Sequence, residues 1–375
     1  MANRSSSRLR ELFGREWPLL ANAVTAVLFH LFGDRWLADL SSASWYFLMF
    51  FWLFGVILFS AFAVVRHAEL LARQLGEPLG TLVLTLAVTG IEVMLIAAVM
   101  LTGKGNPALA RDAMFAVVMV IMNGMVGVAL LLGGLRYHEQ TYNLRGANAF
   151  LAVIVPLAVL GLILPNITVS SPGPTLSQLQ SAFLIVMSIG LYGVFLAIQN
   201  LRHQDYFVMP VMEAHEQQEP APSENGSLAA PMILLFAYLA PLAVLAKRMA
   251  APIDYGINVL GAPAALGGTV VAVLILSPES LAAVRAALAN QLQRAVNILL
   301  GSVLATISLT IPAVLVVGFV TGRAIILGLE PVNILLLLLT LAVSTLTFAS
   351  ARTNVLLGAV HLLLFVSYLV FIFEN

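Results

Sequence analysis

The chain has 375 residues, 61% of them apolar and only 10% charged, with 18 basic and 18 acidic side chains in balance. Soluble domains carry about 25% charged residues, so an ordinary soluble fold is excluded, and the even charge offers no basic surface for nucleic acid. The absence of cysteine excludes disulfides, thiolate metal sites and cysteine nucleophiles.

Apolar runs of about 20 residues, the length that spans a bilayer, recur along the whole chain. Eleven spans are predicted, at about 17–33, 43–65, 78–101, 112–134, 147–165, 177–199, 228–246, 259–287, 294–321, 331–349 and 353–373. The N-terminus is basic (Arg4, Arg8, Arg10, Arg15) without a small-residue cleavage site, so the first run is read as a retained helix. The expected fold is an all-α polytopic membrane protein. Residues 1–42 form a basic N-terminus and leading helix, 43–201 a first set of five helices, 202–227 a polar linker and 228–375 a second set of five.

Orientation follows the Lys/Arg bias of the loops. With the N-terminus inside, the inner loops hold twelve basic residues: Arg4, Arg8, Arg10, Arg15, Arg66, Arg73, Arg136, Arg145, Arg202, Arg285, Arg294 and Arg352. The outer loops hold six, namely Arg35, Lys104, Arg111, Lys247, Arg248 and Arg323. This predicts a cytoplasmic N-terminus and, after eleven spans, a C-terminus outside. The linker "RHQDYFVMPVMEAHEQQEPAPSENGS" reads as a solvated cytoplasmic connection. Its carboxylates Asp205, Glu213, Glu216, Glu219 and Glu224 also admit a cation-sensing loop, although they do not match an EF-hand spacing.

The two halves resemble each other. Leu75-Gly76-Glu77-Pro78 precedes Glu92, and Leu260-Gly261-Ala262-Pro263 precedes Glu279, with proline-to-glutamate intervals of 14 and 16 residues. Gly90 and Pro278 weaken the helix next to each glutamate. Each is followed by an arginine (Arg111, Arg294) and, 12 residues later, by a polar residue in the next span (Asn123, Thr306). Units of five spans are inverted relative to one another across the membrane, so the third and eighth spans run in opposite directions. Inverted repeats with broken helices at the midplane are a common build of secondary transporters.

An ionised carboxylate in hydrocarbon costs several kcal/mol unless it pairs, faces a cavity or takes up a proton. Two such carboxylates near one another also repel, which raises at least one pKa. Glu92 and Glu279 can therefore lower their energy by binding protons or by binding a cation, and alternation between the two is cation/proton exchange. Neutral oxygens near the same depth are candidate supporting ligands for a hard cation: Thr89 (with Thr85 a turn earlier), Asn123, Ser277 (with Ser280), Ser302 and Thr306. Each could equally make an interhelical hydrogen bond. His361, mid-span in the last helix, is read as a helix–helix hydrogen bond rather than a proton relay. His67 and Glu69 sit at an inner helix end where ions would enter, and Arg352, Thr353 and Asn354 read as a helix cap.

The segments "LSPESLAAVRAALANQLQRAVNILLGSVLATISLTIP" and "HAELLARQLGEPLGTLVLTLAVTGIEV" resemble bacterial ChaA-type Ca2+/H+ antiporters, within the wider CAX family of cation/proton exchangers. The resemblance runs from about Ala61 to the C-terminus and includes "RTNVLLGAVHLLLF". It implies eleven helices, one leading helix plus two inverted five-helix repeats, with Glu92 and Glu279 as the acidic residues that bind the cation and the proton. It implies a secondary active transporter of an inner (plasma) membrane, not an enzyme, that exports Ca2+ in exchange for H+. It also implies no cofactor, and membrane lipids and the transported ions as partners. Many members read Gly-Asn-x-x-Glu at each motif. Here Val88-Thr89-Gly90-Ile91-Glu92 and Ile275-Leu276-Ser277-Pro278-Glu279 lack both asparagines, and Met122-Asn123 replaces Gly-Ser in the first repeat. These departures bear on the preference for Ca2+, so Na+ and K+ stay open as cargo, and the alternative is a monovalent Na+(K+)/H+ antiporter with little Ca2+ activity. No HExxH or GxSxG motif supports an intramembrane enzyme.

Overall fold

A computed structural model describes residues 16–76, 79–101, 107–208 and 228–374. The basic residues Arg4, Arg8, Arg10, Arg15 and Lys104, the proline Pro78 and linker residues 209–227 lie outside the described residues.

Among the described residues eleven long helices follow one another. They are α1 (Trp17–Trp36), α2 (Ala43–Leu75), α3 (Leu79–Leu101), α4 (Leu109–Tyr137), α5 (Leu144–Leu162), α6 (Gln178–Arg202), α7 (Ala229–Asn258), α8 (Ala264–Leu288), α9 (Leu292–Thr321), α10 (Pro331–Thr347) and α11 (Val355–Glu374). Eight of the apolar helices are long enough to cross a membrane, and α10 is a shorter apolar helix. The set is one leading helix and two runs of five, the fold class expected from the sequence.

Several ends differ from the expected spans. α2 continues to Leu75, so Arg66 and Arg73 extend a helix rather than opening a loop. α7 runs on to Asn258 through Pro241 and Pro252, which places Lys247 and Arg248 inside a helix and not in an outer loop. α4 starts at Leu109, so Arg111 sits in its first turn. In each case a helix continues into polar sequence because its backbone hydrogen bonds outlast the apolar stretch. A hydropathy boundary therefore marks the hydrocarbon edge and not the helix end.

The helices form two compact units that cut across the five-helix runs. Among the described residues, one holds 16–101 and 228–261, the other 107–208 and 262–374. In the first unit α2 packs against α1, α3 and α7. Glu16, just before α1, accepts from Arg66 (2.8 Å to each oxygen) and from the Tyr238 hydroxyl (2.9 Å), with His67 Nε2 at 3.2 Å. Phe29, Trp36 and Trp52 form an aromatic cluster between α1 and α2. Leu20, Val27 and Leu31 on α1 and Phe47 and Phe51 on α2 are exposed, an apolar surface suited to lipid rather than water.

In the second unit α4 is the interior element: 78% of its apolar window is buried, against 22% for α11. Glycines let neighbouring backbones approach it closely, as small residues do between membrane helices. A Cβ on Gly268 of α8 would lie 2.6 Å from the Asp112 carbonyl carbon and the Ala113 nitrogen. A Cβ on Gly358 of α11 would lie 2.5 Å from the Leu131 nitrogen and 2.9 Å from the Gly127 oxygen.

Two short strands, β1 (Gln140–Thr141) and β2 (Arg352–Thr353), pair antiparallel, Gln140 opposite Thr353. Beside them the buried Tyr142 hydroxyl donates to the carbonyls of Thr347 and Ser350, and burial raises the pKa of its phenol. The helix cap expected at 352–354 resolves onto one residue: Asn354 Oδ1 accepts from the Leu357 N–H at 3.3 Å. Arg352 instead occupies β2 and pairs with Glu139 at 3.3 Å.

Candidate functional site

In the first unit, Glu92 lies inside α3 and is 2% exposed, with Thr89 also buried one turn before it. α3 is continuous through Gly90, so the glycine does not break the helix. A Cβ at Gly90 would meet nothing within 4 Å among the described residues.

In the second unit, Glu279 follows Pro278 within α8, which is likewise continuous. Proline has no N–H to give the Leu274 carbonyl, so an acceptor is freed one turn before the glutamate. Ser277 donates its hydroxyl back to Val273 O, and Ser280 is buried. Glu279 itself is partly buried.

The third helix of each five-helix run contains a π-helical turn. In α4 it spans Met119–Met125 and contains Asn123; in α9 it spans Thr306–Thr310 and begins at Thr306. Such wide turns arise mostly as single insertions in α-helices and are frequent at functional sites. Asn123 and Thr306 are buried, as is Ser302 one turn before Thr306. α8 packs on α9 and on the π turn of α4, and α9 packs on that same turn. The elements carrying Glu279, Asn123, Ser302 and Thr306 thus converge within one unit.

Asn123 sits in a buried chain of polar groups. Its Nδ2 donates to Thr340 Oγ1 of α10 at 2.7 Å, and its Oδ1 lies 3.2 Å from His361 Nδ1 of α11. His361 Nε2 is 3.0 Å from Thr347 Oγ1. His361 therefore makes helix–helix hydrogen bonds, as expected.

The chain matches the family described as sodium/calcium exchanger protein over residues 45–201 and 230–374. The chain belongs to that family. The exchanger is 42% identical over 320 residues to the sodium-potassium/proton antiporter ChaA of Escherichia coli, covering 84% of this chain and 86% of that one. It is 24% identical over 259 residues to a Ca(2+)/H(+) antiporter of Aphanothece halophytica, covering 66% and 68%. In fold it is similar to native YfkE, with a TM-score of 0.73 at 17% identity over 96% of this chain and 100% of that chain. It is also similar to the H+/Ca2+ exchanger CAX, with a TM-score of 0.67 at 14% identity over 95% and 88%. An exchanger of this family is a membrane transporter and not an enzyme.

The exchanger also carries buried polar residues that reading the sequence did not single out. Thr340, Ser344 and Thr347 are fully buried on α10. Their spacing of four and three puts them on one helical face, and that spacing was a usable signal in an otherwise leucine-rich run. Ser308 and Thr310, in the π turn of α9, are fully buried with hydroxyls that find no hydrogen-bond partner among the described residues. The run of hydroxyls in Gly301–Thr310 was visible, but the wide turn that gathers them was not.

Proposed function

We propose that Glu92 and Glu279 carry the transported ions, each alternating between a bound proton and a share of a bound cation. The protein is a secondary cation/proton antiporter. The observation that carries the assignment is that a glutamate lies in the second helix of each five-helix run, inside an apolar helix, and that Glu92 is all but excluded from solvent. A carboxylate held there as an anion is costly, and the exchange of a proton for a cation keeps it neutralised in both states. Asn123, Ser302 and Thr306, with Thr89 and Ser277 in the glutamates' own helices, supply neutral oxygens that fit a partly dehydrated hard cation. The runs 43–201 and 228–375 act as two inverted repeats, which gives the two glutamates equivalent roles.

Ca2+ is the lead cargo, supported by the paired carboxylates, which match a divalent charge. The second reading, a Na+(K+)/H+ antiporter with little Ca2+ activity, is favoured by one specific comparison: the relative named for sodium-potassium/proton antiport is the more similar at 42%, against 24% for the one named for Ca2+/H+ antiport. Proton flux in everted vesicles, titrated separately with Ca2+, Na+ and K+, decides between them. Dissipation of the gradient by Na+ or K+ but not Ca2+ selects the second reading, and dissipation by none of the three rejects both.

Competition for shared carboxylates has a pH signature. Apparent cation affinity should weaken as pH falls below the apparent pKa values of the pair, by about tenfold per pH unit for each proton displaced. Protonated carboxylates favour release of the cation, so the sign is lower affinity in acid. Cation KM measured across pH in the same vesicles checks this, and a flat profile would contradict shared binding.

The protein works in a bacterial inner membrane with its N-terminus and the 202–227 linker in the cytoplasm and its C-terminus outside. The basic bias, twelve to six when helix-borne residues such as Arg66, Arg73, Lys247 and Arg248 are counted at the helix ends they lie nearest, motivates this orientation. Cysteines introduced singly into this cysteine-free chain, at Ser223 in the linker and at Asn375, should be labelled from opposite sides by an impermeant maleimide. Labelling of Ser223→Cys from outside intact cells would reverse the assignment.

A further inference from the structure

The buried polar chain across α4, α10 and α11 has a direction that its distances settle. Thr340 Oγ1 lies 2.7 Å from Leu336 O, to which its hydroxyl donates. That hydroxyl proton is committed, so the Thr340 oxygen accepts from Asn123, and Nδ2 of the carboxamide must face it at 2.7 Å. The amide oxygen therefore faces His361. An amide oxygen only accepts, so at 3.2 Å His361 Nδ1 carries the proton, and the neighbouring Met122 carbonyl is a second acceptor for the same ring. Thr347 meets the other ring nitrogen at 3.0 Å. Asn123, Thr340, Thr347 and His361 are all 0% exposed, so water does not compete for these bonds.

The carboxamide is thus held at both ends, by α10 through its nitrogen and by α11 through its oxygen. It projects from a π turn, where the backbone is wound more loosely than in an α-helix and fixes the side chain's direction less firmly. We propose that His361 is a positioning residue for Asn123. Its Nδ1–H takes one lone pair of the amide oxygen and aims the other, so that Asn123 presents an oxygen in one orientation to the cation. His361 itself does not touch the ion. This inference rests on the role given to Asn123 above, and it adds a specificity-determining contact from the last helix of the chain.

The test compares exchange in vesicles at matched levels of folded protein. His361→Leu removes the N–H donor and should raise apparent cation KM about tenfold, the size of one lost buried hydrogen bond, with less change in maximal rate. His361→Asn restores an N–H near the Nδ1 position without a titratable ring and should bring KM back to within about threefold of wild type. Asn123→Ala combined with His361→Leu should be no worse than Asn123→Ala alone, since the histidine acts through the asparagine. If His361→Leu fails to insert, Thr340→Val releases the other end of the amide at nearly constant shape and should itself raise cation KM.

Wild-type KM in His361→Leu, or in Thr340→Val where that variant carries the test, overturns the positioning role. Equal loss of proton coupling in His361→Leu and His361→Asn also overturns it, because the ring would then carry the proton. Normal exchange in Asn123→Ala refutes the assignment of Asn123 to the cation site. Impaired exchange in Asn123→Ala with wild-type behaviour of the His361 variants refutes only the present inference.

Discussion

Glu92→Gln and Glu279→Gln are each expected to abolish coupled exchange while the protein still inserts and folds. Glutamine keeps the shape of a protonated glutamate and most of its hydrogen bonding, so a carboxyl that is merely structural would tolerate it. A carboxyl that must bind and release a proton cannot be replaced by a group that does neither. Loss of one negative charge opposite a desolvated divalent ion costs about 3–5 kcal/mol, which corresponds to at least a hundredfold loss of affinity. Monovalent cations, needing less compensation, should suffer less in binding, but coupling to protons is lost for every cargo. Pro278 already leaves the helix short of one hydrogen bond, at the Leu274 carbonyl one turn before Glu279, so the thermal stability of Glu279→Gln must be measured alongside its transport. Near-normal Ca2+/H+, Na+/H+ and K+/H+ exchange in both variants would remove the basis of the proposed mechanism.

The second large effect concerns assembly. Gly358→Val should destabilise the protein by about 3 kcal/mol or more, because even the Cβ would meet the Leu131 nitrogen at 2.5 Å and the Gly127 oxygen at 2.9 Å. Both obstacles are backbone and cannot swing aside, so α4 and α11 would have to separate, and the hydrogen bond from His361 to Asn123 spans that same pair of helices. Gly190→Ala is the control, since a Cβ there meets nothing within 4 Å and alanine is the better helix former by about 1 kcal/mol. Melting temperatures of the purified variants should fall clearly for Gly358→Val and stay level or rise for Gly190→Ala. Equal melting temperatures would show that α4 and α11 are not held at this distance in the membrane.

Hydropathy made the number and order of the helices legible because lipid imposes one rule on every crossing: about 20 apolar residues with internally satisfied backbone. It failed at the ends, where Arg111, Lys247 and Arg248 continue helices beyond the apolar stretch. The candidate ligands stood out by type, as polar groups in apolar runs. Asn123 and His361 could not be joined from sequence, because their contact spans 238 positions and depends on how α4 and α11 pack. The compact units were equally hidden: α7 follows the linker in the chain but packs with α1, α2 and α3. Packing partners of membrane helices are chosen by fit between surfaces, and average hydrophobicity carries no record of that choice.

The π turns at Met119–Met125 and Thr306–Thr310 make each of these crossings a spliced spiral. A π turn is an α-helix that has taken in one extra residue. Deleting one residue within Met119–Met125 would let the turn close to ordinary winding, with the residues on both sides keeping their neighbours. The same deletion a few residues away would swing everything beyond it by about 100° around the axis. The spare residue therefore sets the rotational register between the two halves of each crossing. In both α4 and α9 that residue lies in a stretch that carries a buried candidate ligand, Asn123 in one and Thr306 in the other.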